Sequence, residues 1–282
     1  MARPARLEIA GAVYLIGAHC PFESSQPAFV DDSDRTEMRS LLAQALHRFD
    51  AQVLAYALLP DHYQLLLFTR RANLSQLMRH VNGVYTQHQQ LRHGFSGPLF
   101  QGRFRAVLVD RERYLLDACR YVDLSPVRQG LVAQPADWPG SSFRALAGQE
   151  PAPVWLNVAG LHGHLMGHAV TTPAQHARAG ERYARLVAAD PQLDLWPGRL
   201  REQIFLGDAA FAARMRAAAV APRRSGRTAS FADWLKRAGG IREQALWLAH
   251  TEGGIAMTDL AEQLGLSVSR ISRLIAVAER AV

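Results

Sequence analysis

The sequence predicts an α+β fold in which a four-stranded antiparallel sheet carries helices on one face. Apolar segments of strand length and segments of helical periodicity follow one another as strand, helix, strand, strand, helix, strand, with a further helix next. Two of the strands are separated only by Pro60 and Asp61, which predicts a tight turn. This order is typical of a ferredoxin-like sheet, and an all-α region follows it near the C-terminus.

The first strand is predicted at residues 11–18. An acidic cluster at residues 31–34 then offers Ser33 or Asp34 as the N-cap of a helix that runs to about Phe49. Apolar residues of this helix share one stripe, which is expected to face the sheet: Met38, Leu41, Leu42, Ala45 and Leu46.

The central hairpin is predicted at residues 52–59 and 62–68. A second helix follows Asn73, and a glycine-rich loop leads into a strand at residues 104–109. The next helix is expected to stop at Pro126, because proline disfavours the helical conformation of the residue before it.

Three domains are predicted along the chain: a sheet domain at residues 1–147, a connector at residues 148–225 and a DNA-binding domain at residues 226–282. The connector is expected to hold helices at residues 174–189 and 200–219 and a basic linker at residues 221–227. The linker contacts the DNA backbone or is merely solvated.

Residues 258–275 have the pattern of a helix-turn-helix, with Gly265 at the turn. Their apolar positions fit a small core: Leu260, Ala261, Leu264, Leu266, Ile271 and Leu274. Polar and basic residues of the second helix are then presented outward: Ser269, Arg270, Ser272 and Arg273. A helical hairpin used only for packing or dimerisation is the alternative.

Composition and charge indicate a globular protein with a polyanionic partner. The 282 residues can bury a sizeable core, and 49% apolar with 20% charged residues argues against wholesale disorder. The net charge of +7 favours nucleic acid, although the near absence of lysine also fits a GC-rich genome. Cys20 and Cys119 are too few for a disulfide framework, and no apolar run reaches membrane length, so a cytoplasmic location is expected.

A polar pair on the second strand of the hairpin is the first candidate for a site. Side chains alternate along a strand, so His62 and Gln64 point the same way. Tyr121 and Ser125 are four residues apart, on one face of the helix before Pro126. Together they suggest a nucleophile beside a metal, and a strand-edge histidine with a solvated glutamine is the alternative.

Four segments resemble the motifs of REP-associated single-tyrosine transposases of the HUH type. Leu-Pro-Asp-His-Tyr-Gln at residues 59–64 is similar to their Met-Pro-Asn-His-x-His, and residues 97–104 are similar to Gly-His-Leu-Phe/Trp-Gln-x-Arg-Phe. Residues 120–128 resemble Arg-Tyr-x-x-x-Asn-Pro-Val-Arg, and residues 138–144 resemble Trp-Pro-Trp-Ser-Ser-Tyr-Arg. The opening residues 1–4 and the helix-turn-helix fit the same family, so the resemblance covers nearly the whole chain.

The resemblance implies that a divalent cation, Mg²⁺ or Mn²⁺, is held by His62, Gln64 and Ser125 and polarises a DNA phosphate. Tyr121 stands in the place of the nucleophile, whose oxygen forms a 5′-phosphotyrosyl link and leaves a free 3′-hydroxyl. The residues expected to contact DNA are Phe100, by stacking on a base, and a basic and polar set: Arg103, Arg105, Arg128, Ser269, Arg270 and Arg273.

The departures from the family pattern fall at the chemistry. Gln64 replaces the second histidine, Ser125 replaces an asparagine, and Ala-His-Cys-Pro at residues 18–21 replaces an early Ser-Arg-Gly-Asn segment. Two functions are therefore expected. One is a DNA-binding transposase with weakened cleavage and joining of single strands at hairpin repeats. The other is a catalytically inactive regulator that binds such repeats or duplex DNA, and either is expected as a monomer or homodimer.

Overall fold

The computed structural model describes residues 7–21, 26–220, 230–251, 253, 255 and 257–279. The chain divides into two compact units, Met1–Val220 and Ala221–Val282. The opening residues 1–4 and the predicted linker at residues 221–227 lie outside the described residues. In the part of the chain that is described, no helix is both long and apolar enough to cross a bilayer.

Strands and helices alternate through the first half of the first unit. In chain order they are β1 (Ala12–His19), α1 (Asp32–Phe49), β2 (Ala51–Leu59), β3 (His62–Thr69), α2 (Leu74–His93), β4 (Arg105–Val109), α3 (Arg111–Asp123) and α4 (Ser125–Arg128). The rest of the unit is mostly helical. It contains α5 (Phe143–Leu146), α6 (Val158–Met166), α7 (Pro173–Ala188), β5 (Leu200–Arg201), β6 (Phe205–Leu206) and α8 (Ala209–Val220).

One mostly antiparallel sheet forms the centre of this unit, and the α+β class agrees with the prediction. The sheet has six strands in the order β2-β3-β1-β4-β6-β5, so the predicted number of four is wrong. Strand β6 adds to the edge of β4 in parallel, and β5 pairs with β6 in antiparallel fashion.

The sheet is covered on both faces. Strands β1 and β2 are buried at nearly every residue, which requires cover on both sides. The hydroxyl of Tyr63 donates to Asn82 in α2, whereas the neighbouring His62 points the opposite way and contacts Gln129 just after α4. The prediction of helices on only one face of the sheet is therefore wrong.

A buried carboxylate ties α1 to α2. Asp31, and not the predicted Ser33 or Asp34, is the N-cap of α1, and its Oδ1 accepts a hydrogen bond from the Asp34 amide at 3.1 Å. The Asp34 side chain instead accepts from the backbone N–H of Val30 at 2.8 Å and from Nε2 of Gln89 in α2 at 2.9 Å. Asp34 therefore joins the two helices that cover one face of the sheet.

The predicted helix at residues 200–219 is wrong in its first half. Phe205 and Leu206 are fully buried and pair with β4, so their burial against the sheet edge outweighs a helical preference. Helix α8 begins only after Asp208, whose Oδ1 accepts from the Phe211 amide at 2.8 Å as an N-cap does. Buried residues of α6, α7 and β6 share the core of the sheet, and the domain boundary at residue 147 stays a prediction.

The second unit is all helical where it is described. Its helices are α9 (Phe231–Arg237), α10 (Arg242–Thr251), α11 (Met257–Leu264) and α12 (Val268–Glu279). Gly265 lies between α11 and α12 with a φ of 61°, a conformation that favours glycine. The core is made by buried residues of all four helices: Trp234, Ala238, Ala245, Leu246, Ala249, Leu260, Ala261, Ile271 and Ile275. Leu264, Leu266 and Leu274 are partly buried against it.

Candidate active site

His62 is the centre of a polar cluster at the end of the β2–β3 hairpin. The side chain is 1% exposed, and its Nδ1 lies 2.7 Å from Oδ1 of Asp61, the preceding residue in the turn. Burial raises the pKa of Asp61, but the hydrogen bond and charge of His62 outweigh it and hold that pKa below its usual value. An ionised Asp61 accepts the proton on Nδ1 of His62, so Nε2 is the ring nitrogen left to face a ligand.

His19, the last residue of β1, stacks on His62. The two residues are direct partners in the β1–β3 register, and their ring centroids are 4.3 Å apart with an interplanar angle of 18°. Burial and the neighbouring His62 both lower the pKa of His19, which favours a neutral ring with a free lone pair. One nitrogen of each ring and a carboxylate oxygen of Asp61 lie within 4.8 Å of one another, a spacing that could hold a metal ion.

Two glutamine amides lie beside Nε2 of His62. Nε2 of Gln64 lies at 3.4 Å and Nε2 of Gln129 at 3.3 Å from that ring nitrogen. Gln64 was predicted from the alternation of the strand, whereas Gln129 was not predicted. Oε1 of Gln64 is buried and has no hydrogen-bond partner among the described residues, an arrangement that costs about 1–3 kcal/mol.

These residues fit a divalent cation. Imidazole nitrogens and amide oxygens both bind first-row divalent metals, Mn²⁺ among them. A cation would also satisfy Oε1 of Gln64, which has no hydrogen-bond partner among the described residues. The carboxylate of Asp61 behind His62 gives the orientation that metal-binding histidines commonly have. Ser125 is buried, and in the described part of the chain the side chains hydrogen-bonded to His62 are those of Asp61, Gln64 and Gln129. The role of Ser125 as a metal ligand stays a prediction.

Tyr121 lies on α3 and is half-buried. Its hydroxyl oxygen accepts a hydrogen bond from Nε1 of Trp196 at 2.9 Å, and the two rings meet edge-on at 5.1 Å. The guanidinium carbon of Arg128 lies 3.8 Å from the centroid of the tyrosine ring. The structure therefore places a cation directly against the ring that carries this hydroxyl.

Arg128 is a half-buried cation with one donor nitrogen left over. Burial lowers its pKa, while the contact with Tyr121 acts in the opposite direction. Its Nη1 is buried and has no hydrogen-bond partner among the residues that the structure describes. A guanidinium with an unpaired N–H is suited to a phosphate oxygen, which is the role predicted for it.

The other residues predicted to contact DNA are placed differently. Arg103 is exposed just before β4, and Arg105, the exposed first residue of β4, pairs with Gly17 near His19. Phe100 is 7% exposed and packs edge-on against Tyr63 at 5.3 Å, so it is a core residue with no free face for a base. In the second unit, α12 presents polar and basic side chains to solvent: Ser269, Arg270, Ser272 and Arg273.

A buried acid supports the tyrosine helix from behind. Oδ1 of Asp123 accepts from the hydroxyl of Ser142, and Oδ2 accepts from the hydroxyl of Tyr183, both at 2.6 Å. Complete burial raises the pKa of Asp123 to about 7, although both hydrogen bonds act to lower it. Asp123 thus joins the end of α3 to α7 and to the segment before α5.

The fold and this cluster define an α+β protein with a histidine–amide centre and a nearby tyrosine. Scans against protein families and against curated proteins find no match. Among solved structures, the chain is similar to one described as a REP-associated tyrosine transposase bound to a REP hairpin. The identity is 18%, the TM-score is 0.46, and the match covers 55% of this chain and 90% of that one. A likeness at this level assigns neither a family nor an activity.

Proposed function

We propose that the chain is a DNA-binding, transposase-like protein that cleaves and joins single-stranded DNA at hairpin-forming repeats, with Tyr121 as the nucleophile. The observation that carries the proposal is the pair Arg128 and Gln129. Arg128 contacts the ring of Tyr121, and the next residue, Gln129, contacts Nε2 of His62. Two consecutive residues thus link the candidate nucleophile to the candidate metal centre.

In cleavage, the oxygen of Tyr121 forms a bond to the scissile phosphorus and loses its proton to solvent. The bond from phosphorus to the 3′ oxygen breaks, and that oxygen takes up a proton as a free 3′-hydroxyl. Joining is the reverse, with a 3′-hydroxyl displacing the tyrosine oxygen. A divalent cation at His62 supplies polarisation of the phosphate when it is bound.

The chain's own side chains position the phosphate and the nucleophile. The N–H of Trp196 donates to the hydroxyl oxygen of Tyr121 and fixes where that oxygen lies. The spare Nη1 of Arg128 offers a charge-assisted hydrogen bond to the phosphate beside the tyrosine ring. The motifs at residues 59–64 and 120–128 and the net charge of +7 support the same reaction class and a nucleic-acid substrate.

One observation favours the second candidate, a regulator that binds DNA without cutting it. The hydroxyl of Tyr121 is occupied by Trp196, and its ring is covered by Arg128 and half-buried. A nucleophile in that setting reaches a phosphate only if the DNA displaces one of the two neighbours. The experiment must therefore separate binding from covalent chemistry.

The test is to incubate the full chain with a hairpin-bearing single strand and Mn²⁺ and to look for a covalent adduct on a denaturing gel. We expect an adduct that Tyr121→Phe abolishes, because the ring remains and the nucleophilic oxygen is lost. Tyr114→Phe is the matched control, since Tyr114 is a half-buried tyrosine seven residues earlier on α3, and it should leave the adduct intact. Arg128→Lys should reduce adduct formation, since lysine lacks the planar fork.

A hairpin that binds without an adduct, both in the native chain and in Trp196→Phe, would contradict the transposase proposal and support the regulator. An adduct that appears only in Trp196→Phe would show that Trp196 blocks an otherwise competent tyrosine.

A further inference from the structure

Ser125 stands at the position expected for the third metal ligand, but the side chain that reaches His62 is that of Gln129. Ser125 opens α4 and is 1% exposed, with a side chain only one bond longer than Cβ. Gln129 follows one helical turn later, where its backbone N–H donates to the carbonyl of Ser125 at 3.1 Å. Its longer side chain brings the amide to 3.3 Å from Nε2 of His62.

The second histidine of the cluster comes from β1. A Cβ built on Gly17 would lie 3.9 Å from Nε2 of His19, so this nitrogen is directed back along the strand towards Gly17. Gly17 is the β1 partner of Gln64 in the sheet register. Nε2 of His19 therefore lies on the side of His62 where Gln64 is. The main chain of His19 is held in place by the backbone N–H of Gln101, which donates to the carbonyl of His19 at 2.7 Å.

The two amides can present oxygen to a cation without any movement of the backbone. In the structure each amide turns its N–H₂ group towards the lone pair of His62. A half-turn of either amide about its last side-chain torsion exchanges the nitrogen for the oxygen. For Gln64 this also moves an oxygen that has no partner among the described residues into a position where a cation would satisfy it.

We infer that the divalent cation of this site is held by His62, Gln64, His19 and Gln129, with Gln129 in the role expected of Ser125. The inference rests on the proposed function in that it concerns the same centre. Asp61 is then a positioning residue that accepts from Nδ1 of His62, and not a ligand. The cation is thus held by residues from β1, β3 and the end of α4.

This ligand set has a chemical consequence. Two imidazoles and two neutral amides carry no negative charge, and imidazole suits transition metals better than it suits Mg²⁺. The site should therefore prefer Mn²⁺ to Mg²⁺. The positive charge of the cation is left for an anion such as a DNA phosphate, so Mn²⁺ and single-stranded DNA should each strengthen binding of the other.

The test is calorimetric titration of the full chain with Mn²⁺ alone, in a Tyr121→Phe background that forms no adduct. We expect Gln129→Ala and His19→Phe each to weaken Mn²⁺ binding about 10–100-fold, because each removes one ligand. Phenylalanine retains a ring that stacks on His62, so the second variant separates ligation from packing. Ser125→Ala is the matched control and should change Mn²⁺ affinity by less than about twofold.

Gln129→Glu provides a second variant at an exposed position, where folding is not at risk. A carboxylate in place of the amide should tighten the binding of both Mn²⁺ and Mg²⁺. Weakening by Ser125→Ala but not by Gln129→Ala would overturn the inference, as would equal affinity in all the variants. Mn²⁺ binding that depends on Gln129 in a chain that never forms an adduct would uphold the inference and reject the transposase proposal.

Discussion

At the residue scale, Asp123 is a group outside the candidate metal centre whose pKa is strongly altered. The carboxyl group is completely buried, and it accepts hydrogen bonds from Ser142 and Tyr183. The free energy needed to remove a carboxylate from water is larger than the stabilisation that two neutral hydroxyl donors provide. Folding therefore shifts Asp123 towards its protonated form. The acid is thus a stability determinant two residues after the candidate nucleophile.

The pH dependence of stability should therefore contain a term from Asp123. Folding raises its pKa from 3.8 to about 7, so its contribution is fully present below about pH 4 and is lost as the pH rises to about 7. Asp123→Asn stays uncharged and retains both an oxygen and an N–H₂ group. As the pH rises from 4.5 to 8, the unfolding free energy of the variant should increase relative to that of the native chain by about 2–4 kcal/mol. The size of this increase follows from the size of the pKa shift of Asp123.

Urea unfolding of both proteins at several pH values measures this difference. Comparison at each pH cancels the titration of other groups, including Asp61, whose lowered pKa acts only in acid. Parallel pH profiles for the two proteins would show that Asp123 stays ionised when it is buried.

Only part of the candidate site was predictable from single residues. Alternation along the strand correctly directs His62 and Gln64 to the same side of β3, because that periodicity is local. His19 meets His62 only through the β1–β3 register, and Gln129 reaches it only because α3 stops and α4 starts at residues 124–125. Phe100 was expected to stack on a base, but it packs against Tyr63 and Tyr85, and these tertiary contacts are not visible in the local sequence.

At the element scale, α7 packs very closely on the segment after α5. A Cβ at Gly180 would lie 2.7 Å from the carbonyl oxygen of Ala147, which is backbone and cannot move aside cheaply. The interface between these elements therefore requires a glycine. In α2, by contrast, a Cβ at Gly83 would meet nothing within 4 Å.

These two glycines should respond in opposite directions to alanine. Gly180→Ala should destabilise the first unit by about 1–3 kcal/mol, because it overpacks the helix contact. Gly83→Ala should stabilise it by about 0.5–1 kcal/mol, because alanine loses less backbone entropy in a helix. Thermal unfolding of each variant is the measurement, and stabilisation by Gly180→Ala would mean that α7 is not held against Ala147 in solution.

Helix α12 should supply phosphate contacts to duplex DNA. Arg270 and Arg273 are exposed one turn apart, and each phosphate contact contributes a slope of about −0.9 to the dependence of log affinity on log salt. Replacing both by glutamine should weaken duplex binding and reduce the magnitude of that slope by about 2. Arg242→Gln, at an exposed arginine on α10, is the control and should leave the slope unchanged. Unchanged duplex binding in the double variant would support the alternative that α11 and α12 form a helical hairpin used only for packing or dimerisation.

Helices and strands with a long hydrophobic pattern were predicted correctly, and the shortest strands were not. The hairpin and helices α1, α2 and α7 have periodicities that extend over several turns or pleats, and their positions agree with the prediction to within a few residues. Strands β5 and β6 are two residues each and lie in a segment of helical composition. Their conformation comes from the pairing of β6 with β4 and of β5 with β6, which no local pattern encodes.

At the scale of the whole molecule, the described residues form two separate hydrophobic cores, one in each unit. Leu246 is fully buried in the core of the second unit, and Leu42 is 1% exposed in the core of the first. Leu246→Ala should destabilise residues 221–282 by about 2–5 kcal/mol and leave the first unit's stability and Mn²⁺ affinity unchanged. Leu42→Ala should do the reverse, and hydrogen exchange on the full chain resolves the two units. Loss of protection in both units with either variant would show that the chain unfolds as one.

The tight β2–β3 turn also bears on the order in which the chain folds. The hairpin needs only local contacts, so it pays little loop-closure entropy and is expected to pair early. Asp61 and His62 then meet at once, since they are neighbours in that turn. His19 arrives only with the β1–β3 pairing, and Gln129 only once α3 and α4 have docked. A nascent chain would therefore carry a single oriented histidine, and a cation would gain its full set of ligands only after the sheet is complete.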